Sequence, residues 1–447
     1  MIEIVVGDIR IESSEQKNRK IYLMRIPLFI NGAINMRTYA EIDISEICQF
    51  KDLVPKVLFD LLMVSGIIYS IDRIISRKQF SINGLTREMI VNLPTSNLTL
   101  WKPLTKSLNE LLSFMTGDLW SVRFNSSINY DLPSIPLSEK CKEVTAVSLF
   151  SGGMDSLIGA IDLAQSEPGK IFLASHYDST MGGPKGDQNK VFKMLNEHYP
   201  EKFIRFKKAV RIQPQKQKNS ELSSRSRSLM FFAIAAIVAE ALGTDIVIPE
   251  NGSVSLNYPL SDSRRSACST RTTHPIMVNQ FNNLLLCLGV KTRAHNPYEF
   301  QTKGEMVHGC KDLSTLIKIV PQSNSCGKRS QHQFMLDNHF ASHCGRCMPC
   351  MYRRASLLGY EDLTAYGIEP LTLYHKRKGK LSNDFFAMLN FLRKDLNKKD
   401  ITEELKIIGF GNFPNLEQYV ELVVRTREEL KALLVNKGLK DFLLNTN

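Results

Sequence analysis

The rhythm of apolar and polar positions changes twice along the chain. Up to residue 124, strand-like runs (Ile2–Val6, Ile21–Ile30, Glu88–Asn92 and Leu119–Phe124) mix with segments of helical period (Leu53–Ile75 and Leu104–Met115). They predict an N-terminal α+β domain over 1–124, in which no chemical motif falls. Residues 125–142 open with a stretch rich in Ser, Asn, Asp and Pro, the composition of a linker. From Glu143 short apolar runs alternate with helical ones. The predicted order is strand Val144–Phe150, a Gly-rich turn, helix Asp155–Ala164, strand Lys170–Ser175, helix Asn189–His198, strand Phe203–Ile212, helix Ser223–Leu242 and strand Asp245–Pro249. Such alternation implies βαβ units, and so an α/β domain over 143–359 on a parallel sheet covered on both faces. After Gly359 the pattern is helical and charged, with Asn383–Leu396, Ile401–Ile408 and Leu416–Val435 marking a helical C-terminal region over 360–447.

Composition narrows the class without choosing a function. A chain of 447 residues, 43% hydrophobic and 23% charged, reads as a globular protein of two or three domains. Lys and Arg number 57 against 45 Asp and Glu, a net charge of +12. That excess draws in anions such as nucleotides, pyrophosphate or nucleic acid, and leaves direct nucleic-acid binding open. The first residues lack the basic and apolar regions of a secretory signal. The most apolar run, Leu229–Leu242, is too short to span a bilayer and contains Glu240. Four of nine cysteines fall between Cys326 and Cys350, which without an export signal points to metal rather than disulfides. The expectation is a cytoplasmic protein without a membrane segment.

Chemistry concentrates at Phe150-Ser151-Gly152-Gly153-Met154-Asp155-Ser156-Leu157. An apolar strand ends at Phe150, two glycines let the backbone approach a ligand, and a helix opens near Asp155. Unpaired backbone N–H groups, the hydroxyls of Ser151 and Ser156 and a positive helix end make a receptor for polyphosphate. Asp155 suits a helix cap or a magnesium partner. A Gly-Gly pair alone would be a tight turn; the full Ser-Gly-Gly-x-Asp-Ser pattern between strand and helix is the context a phosphate loop requires. It resembles the loop of the N-type ATP pyrophosphatases, which cleave ATP between the α and β phosphates.

The second motif is Cys344-Gly345-Arg346-Cys347-Met348-Pro349-Cys350, with Cys326 upstream. Four thiolates suit a closed tetrahedral zinc site. An iron–sulfur cluster also takes four cysteines, and closely spaced thiols can be redox-active. His332, His339 and His343 lie nearby in sequence, but four cysteines already fill such a site.

Taken together, Ser-Gly-Gly-x-Asp-Ser and Cys…Cys-Gly-x-Cys-x₂-Cys-x₃-Arg (Cys326, Cys344, Cys347, Cys350, Arg354) resemble the 7-cyano-7-deazaguanine synthases, the QueC family. Pro297…Thr302-Lys303-Gly304-Glu305 resembles that family's Pro…Thr-Lys-x-Glu segment, and the likeness spans about Val144 to Leu358. It implies a PP-loop (HUP-like) α/β fold, with ATP and Mg2+ held by Phe150–Leu157 and zinc held by the four cysteines. It also implies Lys303 beside the phosphates and a 7-carboxy-7-deazaguanine-like substrate. Asp155 and Ser156 would act in catalysis. The outer thirds of the chain, and the longer gap between Cys326 and Cys344, depart from the family.

The segment Glu250–Leu260 and Ser269-Thr270-Arg271-Thr272-Thr273-His274-Pro275, with the added N-terminal region, looks instead like the QueC-like branch of the Qat anti-phage defence system. That branch implies a ligase joining an activated deazaguanine carboxylate to the N-terminal amine of a partner protein in a defence operon (QatB-like). Following the fourth strand, Glu250 could accept hydrogen bonds from a guanine-like N1–H and amine, and Arg271 could pair with a carboxylate or phosphate. His274 could assist a proton transfer, and Arg225 and Arg227 could reach phosphates. The alternatives are satisfied loop polarity and helix-surface charge. Other open functions are a nitrile synthase using ammonia, a tRNA-modifying pyrophosphatase, or a non-catalytic nucleotide-binding scaffold.

Overall fold

The computed structural model describes residues 2–16, 19–32, 35–178, 184–213, 221, 225–261, 271–328, 335–375 and 383–441. Twelve strands form one sheet among them. They are β1 (Ile2–Val6), β2 (Arg10–Gln16), β3 (Arg19–Gly32), β4 (Met36–Asp43), β5 (Glu88–Thr95), β6 (Leu119–Ser127), β7 (Val144–Leu149), β8 (Lys170–Asp178), β9 (Phe203–Ile204), β10 (Lys207–Gln213), β11 (Ile246–Val247) and β12 (Ala294–His295). Their order is β12-β11-β7-β8-β10-β4-β3-β1-β5-β6, with β2 on β3 and β9 on β8.

Five of these strands carry the expected α/β arrangement. β12, β11, β7, β8 and β10 all pair in parallel. In chain order they run third, second, first, fourth and fifth when read from β10 to β12, the doubly wound sequence. β7 is buried at five of six positions, as a strand covered on both faces must be. In such a sheet the order reverses between the first and fourth strands, here β7 and β11, and a crevice opens beyond their C-terminal ends.

The N-terminal region does not stand apart. β10 pairs antiparallel with β4, so the sheet continues without a break into β4, β3 and β1. Residues from Ile2 to Ala294 share one hydrophobic core. At its centre the helix Val57–Ile74 is buried along all 18 residues, with apolar side chains on every face and its Asp60 and Asp72 carboxylates satisfied by hydrogen bonds. A Cβ on Gly66 would lie 2.4 Å from Ile42 Cδ1 and 3.9 Å from Met230 Sδ. Only glycine lets this helix sit so close between β4 and the helix Arg227–Leu242. The stretch at 125–142 is therefore a surface connection within one core; its Tyr130 is buried and donates to Asp60 Oδ1 at 2.8 Å.

The C-terminal helices Asn383–Arg393, Lys398–Leu405 and Leu416–Asn436 build a second core with the helix Met348–Ser356. No helix of the described residues is long and apolar enough to cross a membrane.

Candidate functional site

β7 ends at Leu149, and the loop Phe150–Gly153 leads into the helix Met154–Ser166. Gly152 takes φ +82°, and a Cβ there would lie 2.9 Å from the backbone N of Gln188. Both the left-handed turn and the close approach require glycine. The Ser156 hydroxyl ties the turn together: it accepts from Gly152 N–H at 3.1 Å and donates to Gly153 O at 3.0 Å. Ser151 is exposed beside it, and its hydroxyl accepts from Gly153 N–H at 3.3 Å. The side chains of Phe150, Met154 and Leu157 are buried in the core under the loop, so these three residues can offer a ligand only backbone.

Behind the loop stands a buried charged cluster. Lys303 Nζ donates to Asp155 Oδ1 at 2.5 Å, and Asn251 Nδ2 donates to Asp155 Oδ2 at 2.8 Å. Lys303 opens the helix Lys303–His308, whose start is fixed by a capping box between Thr302 and Glu305. Burial alone would raise the Asp155 carboxyl. The Lys303 charge and the hydrogen bonds from Glu250, Lys303 and Asn251 outweigh it and hold the group at about 2. Glu250 goes the other way. Its own burial, then the neighbouring Asp155 charge and the hydrogen bond it donates there, push it well above the usual carboxylate range. The two carboxyls are thus driven apart, Asp155 toward its charged form and Glu250 toward its protonated one.

Glu250 lies just beyond β11, so β7 and β11 deliver Asp155 and Glu250 to the same end of the sheet. A cavity of about 220 Å³ opens there. Leu149, Phe231, Phe232, Ile248 and Pro249 form its apolar walls, and Ser151, Ser156, Arg227, Glu250, Thr272 and Thr273 supply polar groups. Arg227 stands over the Phe231 ring, 5.3 Å from its centroid, and donates to His176 O at 2.9 Å.

The remaining sequence candidates divide. Arg271 lies over Phe114, 4.7 Å from the ring centroid, and is not among the cavity-lining residues; burial lowers its pKa. His274 is the N-cap of the helix Pro275–Cys287, accepting from Ile276 N–H at 3.3 Å. Burial, then Arg271, hold it down at about 3, so it is a neutral cap rather than a proton carrier near neutrality. Arg225 donates to Thr116 O at 2.7 Å beside the buried Asp72 and Asp118, and is not among the cavity-lining residues. Ser269, Thr270 and His332 lie outside the described residues.

The four cysteines come together as the spacing expects. The sulfurs of Cys326, Cys344, Cys347 and Cys350 all lie within 4.8 Å of one another. Cys326–Cys347, Cys344–Cys350 and Cys347–Cys350 are 4.0, 3.9 and 3.4 Å apart. Tetrahedral zinc with Zn–S near 2.3 Å would place sulfurs about 3.8 Å apart, so the donor set fits such an ion. Backbone N–H groups of Cys344 and Lys328 donate to Cys326 Sγ at 3.2 and 3.3 Å, and Arg346 N–H to Cys344 Sγ at 3.4 Å, which favours thiolates. His343 is not a ligand; its Nε2 accepts from Ser325 N–H at 3.4 Å.

No family model matches the chain, and no curated protein or solved structure matches it. Three of the site's residues escaped sequence reading. Asn251 falls inside the Glu250–Leu260 segment with nothing in its pattern to mark it, yet it holds the second oxygen of Asp155. Asn324 and Ser325 immediately precede the first cysteine and touch the loop: Asn324 N–H donates to Gly152 O at 3.1 Å, and Met154 N–H donates to Ser325 Oγ at 3.3 Å.

Proposed function

We propose that this chain is an ATP-dependent ligase of the PP-loop kind, activating a 7-deazaguanine carboxylate as an acyl-adenylate and passing it to an amine. The observation that carries the reading is the meeting, at one sheet end, of the Ser151–Ser156 loop, the Asp155–Lys303 pair and half-buried Glu250. The loop supplies backbone N–H groups and hydroxyls to the β and γ phosphates at a helix N-terminus. Lys303 adds positive charge where pyrophosphate develops. Asp155 accepts hydrogen bonds from Lys303, Asn251 and Glu250, which leaves one carboxylate lone pair to meet a magnesium ion arriving with ATP.

The chemistry balances simply. A substrate carboxylate oxygen bonds to the α-phosphorus, and the bond to the bridging oxygen breaks to release pyrophosphate. An amine then attacks the acyl carbon, AMP leaves, and one proton passes from the amine to solvent. The residues position and neutralise charge rather than form a covalent intermediate. The cavity, below the roughly 300–1,000 Å³ of pockets that enclose whole drug-sized ligands, suits one ring system with phosphates directed over the loop. Glu250 offers a hydrogen-bonding edge to a guanine-like ring at its floor. The amine acceptor, by the resemblance of 250–260 and 269–275, is the N-terminus of a partner protein in a defence operon.

The test is to incubate the chain with ATP, magnesium and 7-carboxy-7-deazaguanine and to follow AMP and pyrophosphate. Release of both that requires the deazaguanine supports the reading. Silence with the deazaguanine and turnover with tRNA overturns it. Mass spectrometry of a co-expressed neighbouring protein then tests conjugation, and an unmodified mass under active conditions rejects that acceptor.

A further inference from the structure

The segment 323–326 ties the cysteine cluster to the phosphate loop. At one end, Cys326 is a cluster member whose sulfur accepts from the N–H groups of Cys344 and Lys328. Ser325 N–H donates to His343 Nε2, and the Asn324 side chain bridges Cys326 N–H at 2.9 Å and Ser342 O at 3.2 Å. At the other end, Asn324 N–H holds Gly152 O and the Ser325 hydroxyl receives Met154 N–H. A Cβ on Gly153 would stand 3.5 Å from both Asn324 O and Ser325 Oγ, so the two segments are in van der Waals contact. Met154 N–H is one of the donors that a helix N-terminus leaves unpaired, and here a serine hydroxyl takes it.

That hydroxyl is half used. It accepts from Met154 N–H, and among the described residues no acceptor receives its own proton. The group is thus a donor at the mouth of the loop, its oxygen fixed by a helix N–H and its backbone fixed by the cluster. We propose that Ser325 is a further anion-binding residue of the loop, and that the cysteine cluster positions it, so that anion binding and metal binding are coupled. The inference rests on reading 151–156 as a phosphate loop and goes beyond it. Four thiolates brought together by a bound ion fix Cys326, and with it the two residues that contact Gly152 and Met154. By linkage, whatever the loaded cluster contributes to anion affinity the anion returns to the cluster.

The test uses the full chain in its zinc-loaded form and inorganic pyrophosphate as probe, without any turnover. Calorimetric titration compares the wild type with Ser325→Ala, with zinc content measured on the same samples. The expected result is full zinc content in both and about tenfold weaker pyrophosphate binding in the variant, the loss of one charge-assisted hydrogen bond. Equal affinities overturn the inference and leave the phosphate-loop reading standing; a wild type that binds no pyrophosphate brings down both. Hydrogen exchange on the wild type alone gives the second measurement. Pyrophosphate is expected to slow exchange at 150–157 and also at 323–328 and 343–347. Protection confined to 150–157 overturns the coupling.

Discussion

The Lys303–Asp155 pair allows the sharpest test of the site's electrostatics. Their side chains are 4% and 8% exposed, and Lys303 sits at a helix N-terminus, where a cation is disfavoured unless an anion compensates it. Replacing Lys303 by Met keeps the apolar stem and removes the charge, leaving the Asp155 carboxylate buried with Asn251 and protonated Glu250. Holding Asp155 at about 2 rather than 3.8 corresponds to about 2 kcal/mol of net stabilisation. Removing one partner of a buried pair costs about 3–5 kcal/mol, because burial then stands uncompensated. Lys303→Met should therefore lower unfolding free energy by about 3 kcal/mol at pH 7, read by urea denaturation. Lys303→Met with Asp155→Asn should lose less than the two single losses added together. The pH profile carries the same sign. A depressed carboxylate stabilises above its unfolded value of 3.8, and that contribution fades as pH falls through about 2. In Lys303→Met burial is no longer outweighed, so that contribution should be gone and stability should not fall through this acid range as it does in the wild type. Single losses that add to the double loss within about 0.5 kcal/mol would refute the pairing.

Further outcomes follow from neighbouring groups. The purified chain should carry one zinc per molecule, with four sulfurs near 2.3 Å by X-ray absorption, and Cys347→Ser should lose it; visible iron–sulfur absorption would contradict the assignment. Gly152→Ala, which meets Gln188 backbone at a φ of +82°, should abolish pyrophosphate binding while the far-ultraviolet spectrum is kept; unchanged affinity would show that the turn is not the receptor. Glu250 has a raised folded value, so its contribution is complete below its ordinary value of 4.5 and lost as pH climbs through the raised one. Glu250→Gln keeps an N–H donor toward Asp155 without that proton, and should flatten the decline; identical slopes would count against a protonated Glu250. His274→Asn should keep the cap and His274→Ala should cost about 1 kcal/mol, neither changing activity between pH 7 and 8.

Much of this was legible because local rules agreed. The alternation of β1, the apolar run of β7 and the helical periods at 57–74 and 416–436 each lie within a few residues of the elements they predict. The strand–turn–helix at 149–154 and the convergence of the four cysteines were legible because a tight glycine turn and a four-sulfur cluster both need particular residue types at short spacing. Three features were not. β2 and β4 carry too many polar residues for a half-buried strand to stand out. Pairing between β4 and β10 joins residues about 170 positions apart, which no local pattern encodes. Arg225 and His274 stood out by residue type and by position in their segments, and neither distinguishes a ligand contact from the carbonyl contact and the helix cap that the fold gives them.

The regions flanking the α/β unit each brace elements that build the site, and this is why they belong to it. On one side, buried Asp72 accepts from Ser226 N–H and hydroxyl at 3.1 and 2.8 Å, at the start of the helix that carries Arg227, Phe231 and Phe232. Arg87 donates to both Asp72 and Asp118, at 2.5 and 2.6 Å, fixing the carboxylate that fixes this helix. On the other side, the helix Leu416–Asn436 holds the residues that flank Lys303 and Asn251, two of the partners of Asp155. Its Glu429 accepts from the Thr302 hydroxyl and from Gly304 N–H at the first turn of the Lys303 helix. Its Thr426 shares a 2.6 Å hydrogen bond with Ser253, two residues beyond Asn251. A Cβ on Gly252 would strike Glu299 O at 2.1 Å and Leu422 at 2.7 Å, so the packing there leaves no slack. A buried carboxylate held at about 2 needs its cation and its amide kept in register, and the loop alone supplies neither. Truncation before Leu416 should therefore disturb Asp155 before it disturbs the sheet.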